Sequence, residues 1–170
     1  MIKIKKRIVM FLFTLAFVFS LYGNVMAADT SNYEKQGFKK TVIEDDLVLY
    51  SKITENETTS PITTLSWEYV SKSYSGRFYL VSSGETVAKY GFDATFSYNS
   101  VDQVWLEGHD SWSESVVSGW TIEDSSYYNR ISDQYMYCEG SFALYHDGEY
   151  NNSTTARIYC DHLGNITVID

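Results

Sequence analysis

Each of the three histidines has an acid beside it: His109-Asp110, His146-Asp147 and Asp161-His162. Such pairs can build a general base or a transition-metal site. On a strand, however, adjacent side chains point to opposite faces, so adjacency in sequence does not assemble a pair in space. Zinc spacing of the H-E-x-x-H kind is absent. The stretch YHDGEYNN, residues 145–152, raises calcium instead, because Asp147, Glu149 and Asn151 offer the oxygen ligands that calcium prefers. The ordered D-x-[DN]-x-[DN]-G loop with its closing Glu is missing. Asp, Gly and Asn are also what a tight turn requires. The stretch is therefore read as a hairpin tip. Asp147, Glu149 and Asn151 remain weak metal candidates, and no metal or cofactor is assigned.

Other reaction chemistry finds little support. No G-x-S-x-G, Gly-rich phosphate loop or G-x-G-x-x-G occurs. A glycosidase needs two carboxylates at a defined separation across a cleft. Glu107 with Asp110 or Glu123 are the residues for such a pair, and a small carboxylate-dependent hydrolase is the last-ranked reading.

Aromatic side chains are the most informative feature. The segment VWLEGHDSWSESVVSGWTIEDSSYYN carries Trp105, Trp112, Trp120, Tyr127 and Tyr128 among acids and serines. Flat rings beside hydrogen-bonding groups suit sugar rings or a protein surface, because an aromatic offers much contact area for little lost entropy. These five are the candidate stacking residues, with Glu107, Asp110 and Glu123 as orienting groups. The competing expectation is that the indoles plug the core.

The elements that would carry these residues are strands. From Ile62 onward the chain is rich in Tyr, Trp, Val, Ser and Thr, and apolar residues alternate, as in Phe92, Ala94, Phe96 and Tyr98. Leu65, Trp67 and Tyr69 alternate likewise. Turn signals fall at Ser75-Gly76, Ser83-Gly84, Asn99-Ser100, Ser118-Gly119 and Gly164-Asn165. No stretch beyond the N-terminus has a helical apolar stripe. The fold class is all-β, an antiparallel β-sandwich, with Ig-like and jelly-roll-like topologies both open. Residues 61–170 form this domain. Residues 28–60, polar and acidic, read as a flexible segment with one strand, Leu47–Ile53.

Cys138 and Cys160 are the two cysteines. If YCEGSFALY folds back on TTARIYC with its tip near Glu149, Cys138 faces Cys160, Gly140 faces Ile158 and Phe142 faces Ala156. The opposite side carries Tyr137, Glu139, Ser141 and Tyr145. The expectation is one disulfide, Cys138–Cys160, subject to the tight geometry such a bond demands. A one-residue bulge would shift this register.

Compartment and charge complete the reading. Lys3, Lys5, Lys6 and Arg7 precede an apolar run from Ile8 to Leu21, and Val25-Met26-Ala27 fits a small-residue cleavage site. Residues 1–27 are thus read as a secretory signal peptide, and the protein as secreted. The full chain has 13 basic and 22 acidic residues; the leader holds four of the basic and none of the acidic ones, so removing it leaves nine against 22, a net charge of −13. Nucleic acid and anionic membrane surfaces are disfavoured partners. The chain resembles, in general look only, small exported β proteins of Gram-positive bacteria. The expected function is a non-enzymatic binding module for an extracellular glycan or protein. The alternative is a protein-interaction factor, such as an inhibitor, immunity factor or surface-assembly subunit.

Overall fold

The computed structural model describes residues 32–55 and 67–170. The leader, Leu65 and the break at Pro61 lie outside these residues. Among the described residues no helix is long and apolar enough to cross a membrane.

The strands are β1 (Lys39–Val42), β2 (Leu47–Glu55), β3 (Glu68–Leu80), β4 (Glu85–Tyr98), β5 (Val104–Ser115), β6 (Trp120–Ser132), β7 (Tyr135–His146), β8 (Glu149–Asp161) and β9 (Ile166–Ile169). They form two antiparallel sheets, β1-β2-β3-β4-β5 and β6-β7-β8-β9. Each sheet is a plain meander, in which every strand pairs with its neighbours in sequence. Ig-like and jelly-roll-like topologies both need Greek-key connections, so neither describes these sheets.

Period-two alternation builds the shared core. Ala88, Tyr90, Phe92, Ala94 and Phe96 of β4 point inward and are fully buried. Cys138, Phe142 and Leu144 of β7 meet them from the other sheet, and the Tyr90 and Phe142 rings lie 4.3 Å apart. Burying each such large side chain contributes about 1.5–3 kcal/mol. Gly140 sits opposite the Phe92 ring, where a Cβ would come within 2.5 Å of the ring carbon Cδ1. Gly76, expected in a turn, lies inside β3 instead. The Tyr90 side chain occupies the space its Cβ would need, so close packing and not a turn explains that glycine.

The segment expected to be flexible is built into the sheet over residues 39–42 and 47–55. Leu47 and Leu49 face the shared core, while Val48 and Tyr50 face outward with Tyr79. Tyr33 and Phe38 cover this outer cluster, and the Arg77 guanidinium lies 4.5 Å from the Tyr33 ring and 4.7 Å from the Phe38 ring. The apolar residues here serve two cores on opposite faces of β2, so they form no simple alternation.

The β7–β8 hairpin forms, with its tip at Asp147-Gly148. Their φ values of 51° and 82° are those a two-residue hairpin turn needs. Because the tip falls at Asp147-Gly148 and not at Glu149, and a bulge at Asn151 takes back one residue, the register lies two residues from the expected one. Cys138 therefore faces Ile158, and Cys160 faces Met136. Both cysteines are buried and free. Their core-facing side is the expected one, but they are diagonal neighbours and not a direct pair.

On one side of the sandwich the edge strands β5 and β6 meet through side chains. Ser113 Oγ donates to Asp124 Oδ1 at 2.5 Å, and the Ile122 N–H donates to Ser115 Oγ at 3.2 Å. On the other side Asp170 accepts from Lys39 Nζ and from Ser51 Oγ, both at 2.9 Å.

Candidate functional site

The β5–β6 seam opens towards the N-terminal end of β5, and the cause is local. Thr95 faces Gly108 but Phe96 faces Leu106, so Glu107 is an extra residue on β5. Such a bulge bends its strand and re-aims the side chain. Ser97 donates a hydrogen bond to the Glu107 carboxylate and fixes it. Where the strands part, a groove of about 460 Å³ is lined by Trp105, Glu107 and His109 of β5 and by Tyr128 and Arg130 of β6, with Met136 beneath. Met136 is buried and gives the groove an apolar base.

The lining groups hold one another. The Arg130 guanidinium lies over Trp105, 4.1 Å from the ring centroid. Arg130 also pairs with Asp133 at 3.2 Å. His109 Nδ1 shares a hydrogen bond with Ser126 Oγ at 2.8 Å, and its ring lies 5.9 Å from that of Tyr128. Trp105 is 46 % exposed and Tyr128 57 %. The groove thus offers two partly open aromatic rings beside an anchored carboxylate, an imidazole and a guanidinium. That set can stack on a ring and hydrogen-bond to hydroxyls around it.

The remaining sequence candidates lie elsewhere. Trp112 and Asp110 sit on the outer face of the five-stranded sheet. Trp112 lies flat on Gly91, whose Cβ would come within 2.8 Å of the indole, and Asp110 faces Asp93 directly across the ladder. Trp120 is a core residue, only 9 % exposed, with the His146 ring stacked on it at 4.3 Å. Little of its ring is left open for stacking. Tyr127 and Glu123 belong to the outer face of the four-stranded sheet. The eight candidates therefore spread over several surfaces, and the groove gathers Trp105, Glu107 and Tyr128 alone. Among the described residues Glu107 is the one carboxylate lining it, so neither Asp110 nor Glu123 stands with Glu107 in the groove.

At the hairpin tip, the Asp147 N–H donates to Gly119 O at 2.7 Å, and Asn151 is the bulged residue. Among the described residues no group of three or more His, Cys, Asp or Glu is gathered so as to hold a metal ion.

Arg130, Met136 and the role of His109 were not visible as parts of one site. Arg130 and Met136 are paired across β6 and β7, and His109 comes to them from β5 of the other sheet, next to the bulge at Glu107. No known protein family, curated protein or solved structure matches this chain.

Proposed function

We propose that this protein is a secreted, non-enzymatic module that binds an extracellular glycan in the groove between β5 and β6. The observation that carries this reading is the pairing of two partly open rings, Trp105 and Tyr128, with the anchored Glu107 carboxylate in one groove. A sugar presents C–H faces that stack on rings and hydroxyls that bond to carboxylate, imidazole and guanidinium groups. The N-terminal leader pattern supports export.

A second reading, a protein-interaction factor, is favoured by a separate feature. The loops that follow β4, β6 and β8 are tied together by Ser100 N–H to His162 O at 3.0 Å and His162 N–H to Gln134 O at 2.9 Å. This end exposes Val101, Ile131 and Leu163.

Titration of tryptophan fluorescence against cell-wall and host glycans tests the first reading. A saturable change that weakens about tenfold or more in Trp105→Ala supports it, since one stacked aromatic is worth over about 1 kcal/mol. No response to any glycan, with the fold intact, overturns it and leaves the loop end as the surface to pursue.

A further inference from the structure

The outer face of the four-stranded sheet carries a second arrangement that the groove does not use. β-Pleating places Tyr127, Tyr137, Tyr159 and Tyr135 at one end of this face. Tyr127 and Tyr137 meet edge to face at 6.2 Å, Tyr137 and Tyr159 lie 5.2 Å apart, and Tyr135 stacks on Tyr159 at 5.8 Å. A second bank, Tyr145 and Tyr150, meets edge to face at 6.1 Å near the hairpin tip. Tyr137 and Tyr145 are eight residues apart on β7, which is about 26 Å of strand.

Between the Glu139–Arg157 row and the second bank, the outward side chains of β7 and β8 are small or short. Ser125 faces Ser141, which faces Thr155, and Ala143 faces Ser153. This floor forms a shallow trough of about 380 Å³ with Glu123 at its side. Large side chains at these floor positions would fill the trough.

The polar groups along the trough are already organised. Arg157 pairs with Glu139, and its guanidinium lies over the Tyr137 ring at 5.4 Å. Glu123 sits close enough to Tyr145 for its charge to raise the phenol. The face therefore holds ring faces, phenol hydroxyls and serine and threonine hydroxyls, with little aliphatic surface. An apolar protein partner would meet few aliphatic groups here. A polyanion would meet a chain of net charge −9 even with its leader. A neutral polyol, with C–H faces for the tyrosines and hydroxyls for the floor, matches the face.

We infer that the outer face of the four-stranded sheet is an extended binding surface for a neutral polysaccharide, whose chain lies along the strands from the Tyr137–Tyr159 bank to the Tyr145–Tyr150 bank. This inference rests on the glycan-binding reading but uses different residues. It assigns the groove to one or two sugar rings and the trough to the continuing chain or to a second chain. Two such surfaces on one module would raise avidity for a polymer over that for a short oligosaccharide.

Affinity gel electrophoresis of the full chain in native gels tests it, with hydroxyethylcellulose, laminarin, mannan and dextran as probes and alginate as the polyanion. The expected result is retardation by at least one neutral polymer and none by alginate. The double variant Tyr137→Ala/Tyr159→Ala should lose at least tenfold in apparent affinity, and Thr155→Arg, a block on an exposed floor position, should do the same. Thr155→Arg keeps the test decisive if the double variant does not fold. Retardation that Thr155→Arg leaves unchanged and Trp105→Ala removes overturns this inference and leaves the groove reading intact. Retardation that Thr155→Arg removes and Trp105→Ala leaves unchanged supports the trough and sinks the groove. No retardation of the wild-type chain by any neutral polymer overturns the trough; the fluorescence titration then decides the groove separately.

Discussion

The guanidinium of Arg130 on β6 lies over the indole of Trp105 on β5, 4.1 Å from the ring centroid, and so joins the edges of the two sheets across the groove. A cation above an exposed ring is worth about 0.5–1 kcal/mol. Arg130→Ala, Trp105→Ala and the double variant, unfolded in urea, should give a coupling energy of about that size. Arg130→Lys should recover only part of it, since the ammonium lacks the planar group that stacks on indole. A coupling energy near zero would mean that the two walls of the groove stand independently.

Two glycines make opposite predictions. Gly140 is buried, and its added Cβ would come within 2.5 Å of the Phe92 ring. Gly140→Ala should therefore lose about 1–3 kcal/mol of stability, the usual consequence of overpacking a filled core. Gly108 lines the groove, and nothing lies within 4 Å of where its Cβ would be. Gly108→Ala should be neutral, or stabilising by up to about 1 kcal/mol through the unfolded chain. Denaturation midpoints of the two variants check both directions at once.

The core was legible where alternation is clean. Phe92, Ala94, Phe96 and Tyr98 share an inward face as their spacing implies, and the turns at Ser83-Gly84 and Gly164-Asn165 separate paired strands. β1 and β2 were not legible as part of the sheet. Their apolar residues divide between the shared core and the outer cluster under Tyr33 and Phe38, which hides the period. The groove was half legible. Trp105, Glu107 and Tyr128 stand out by residue type, but Arg130 and Met136 join them only through a bulge on one strand and the pairing of two others. The tyrosines of the trough could have been found by parity, because 127, 137 and 159 are all outward odd positions once the hairpin register is known.

The cysteines yield a direct count. Burial, with Glu139 nearby, pushes the Cys138 thiol up to about 12, and burial, with Asp161 nearby, pushes Cys160 up to about 12. Both thiols should be inert to a thiol reagent at pH 8 in the native protein, because almost no thiolate is present. In denaturant two thiols per chain should react without prior reduction. A count of zero would mean that the strands shift by two residues to pair Cys138 with Cys160, the register that places them face to face.

Asp170 sets an acid limit on the closure of the sandwich opposite the groove. Partial burial pushes its carboxyl up, but hydrogen bonds from Lys39 and Ser51 and the Lys39 charge outweigh this and hold it below the ordinary carboxylate range. A carboxyl whose pKa is lower in the folded state contributes stability that is present above the unfolded value, near 4, and is lost as pH falls through the folded one. The ion pair is solvent-exposed at its Lys39 end, so its contribution should stay under about 1 kcal/mol once screening is counted. Asp170→Asn should therefore lower the midpoint of unfolding slightly at pH 7. The gap to the wild type should narrow as the pH drops below about 4 and close once both proteins carry a neutral side chain there. Asp161 adds a second acid-sensitive contact: burial pushes it up, and hydrogen bonds from Asn165 and the Leu163 N–H more than offset that. An Asp161→Asn/Asp170→Asn variant should lose more of the wild-type slope of stability against pH below 4 than either single variant. A wild-type slope that survives both substitutions would place the acid-sensitive groups on other strands.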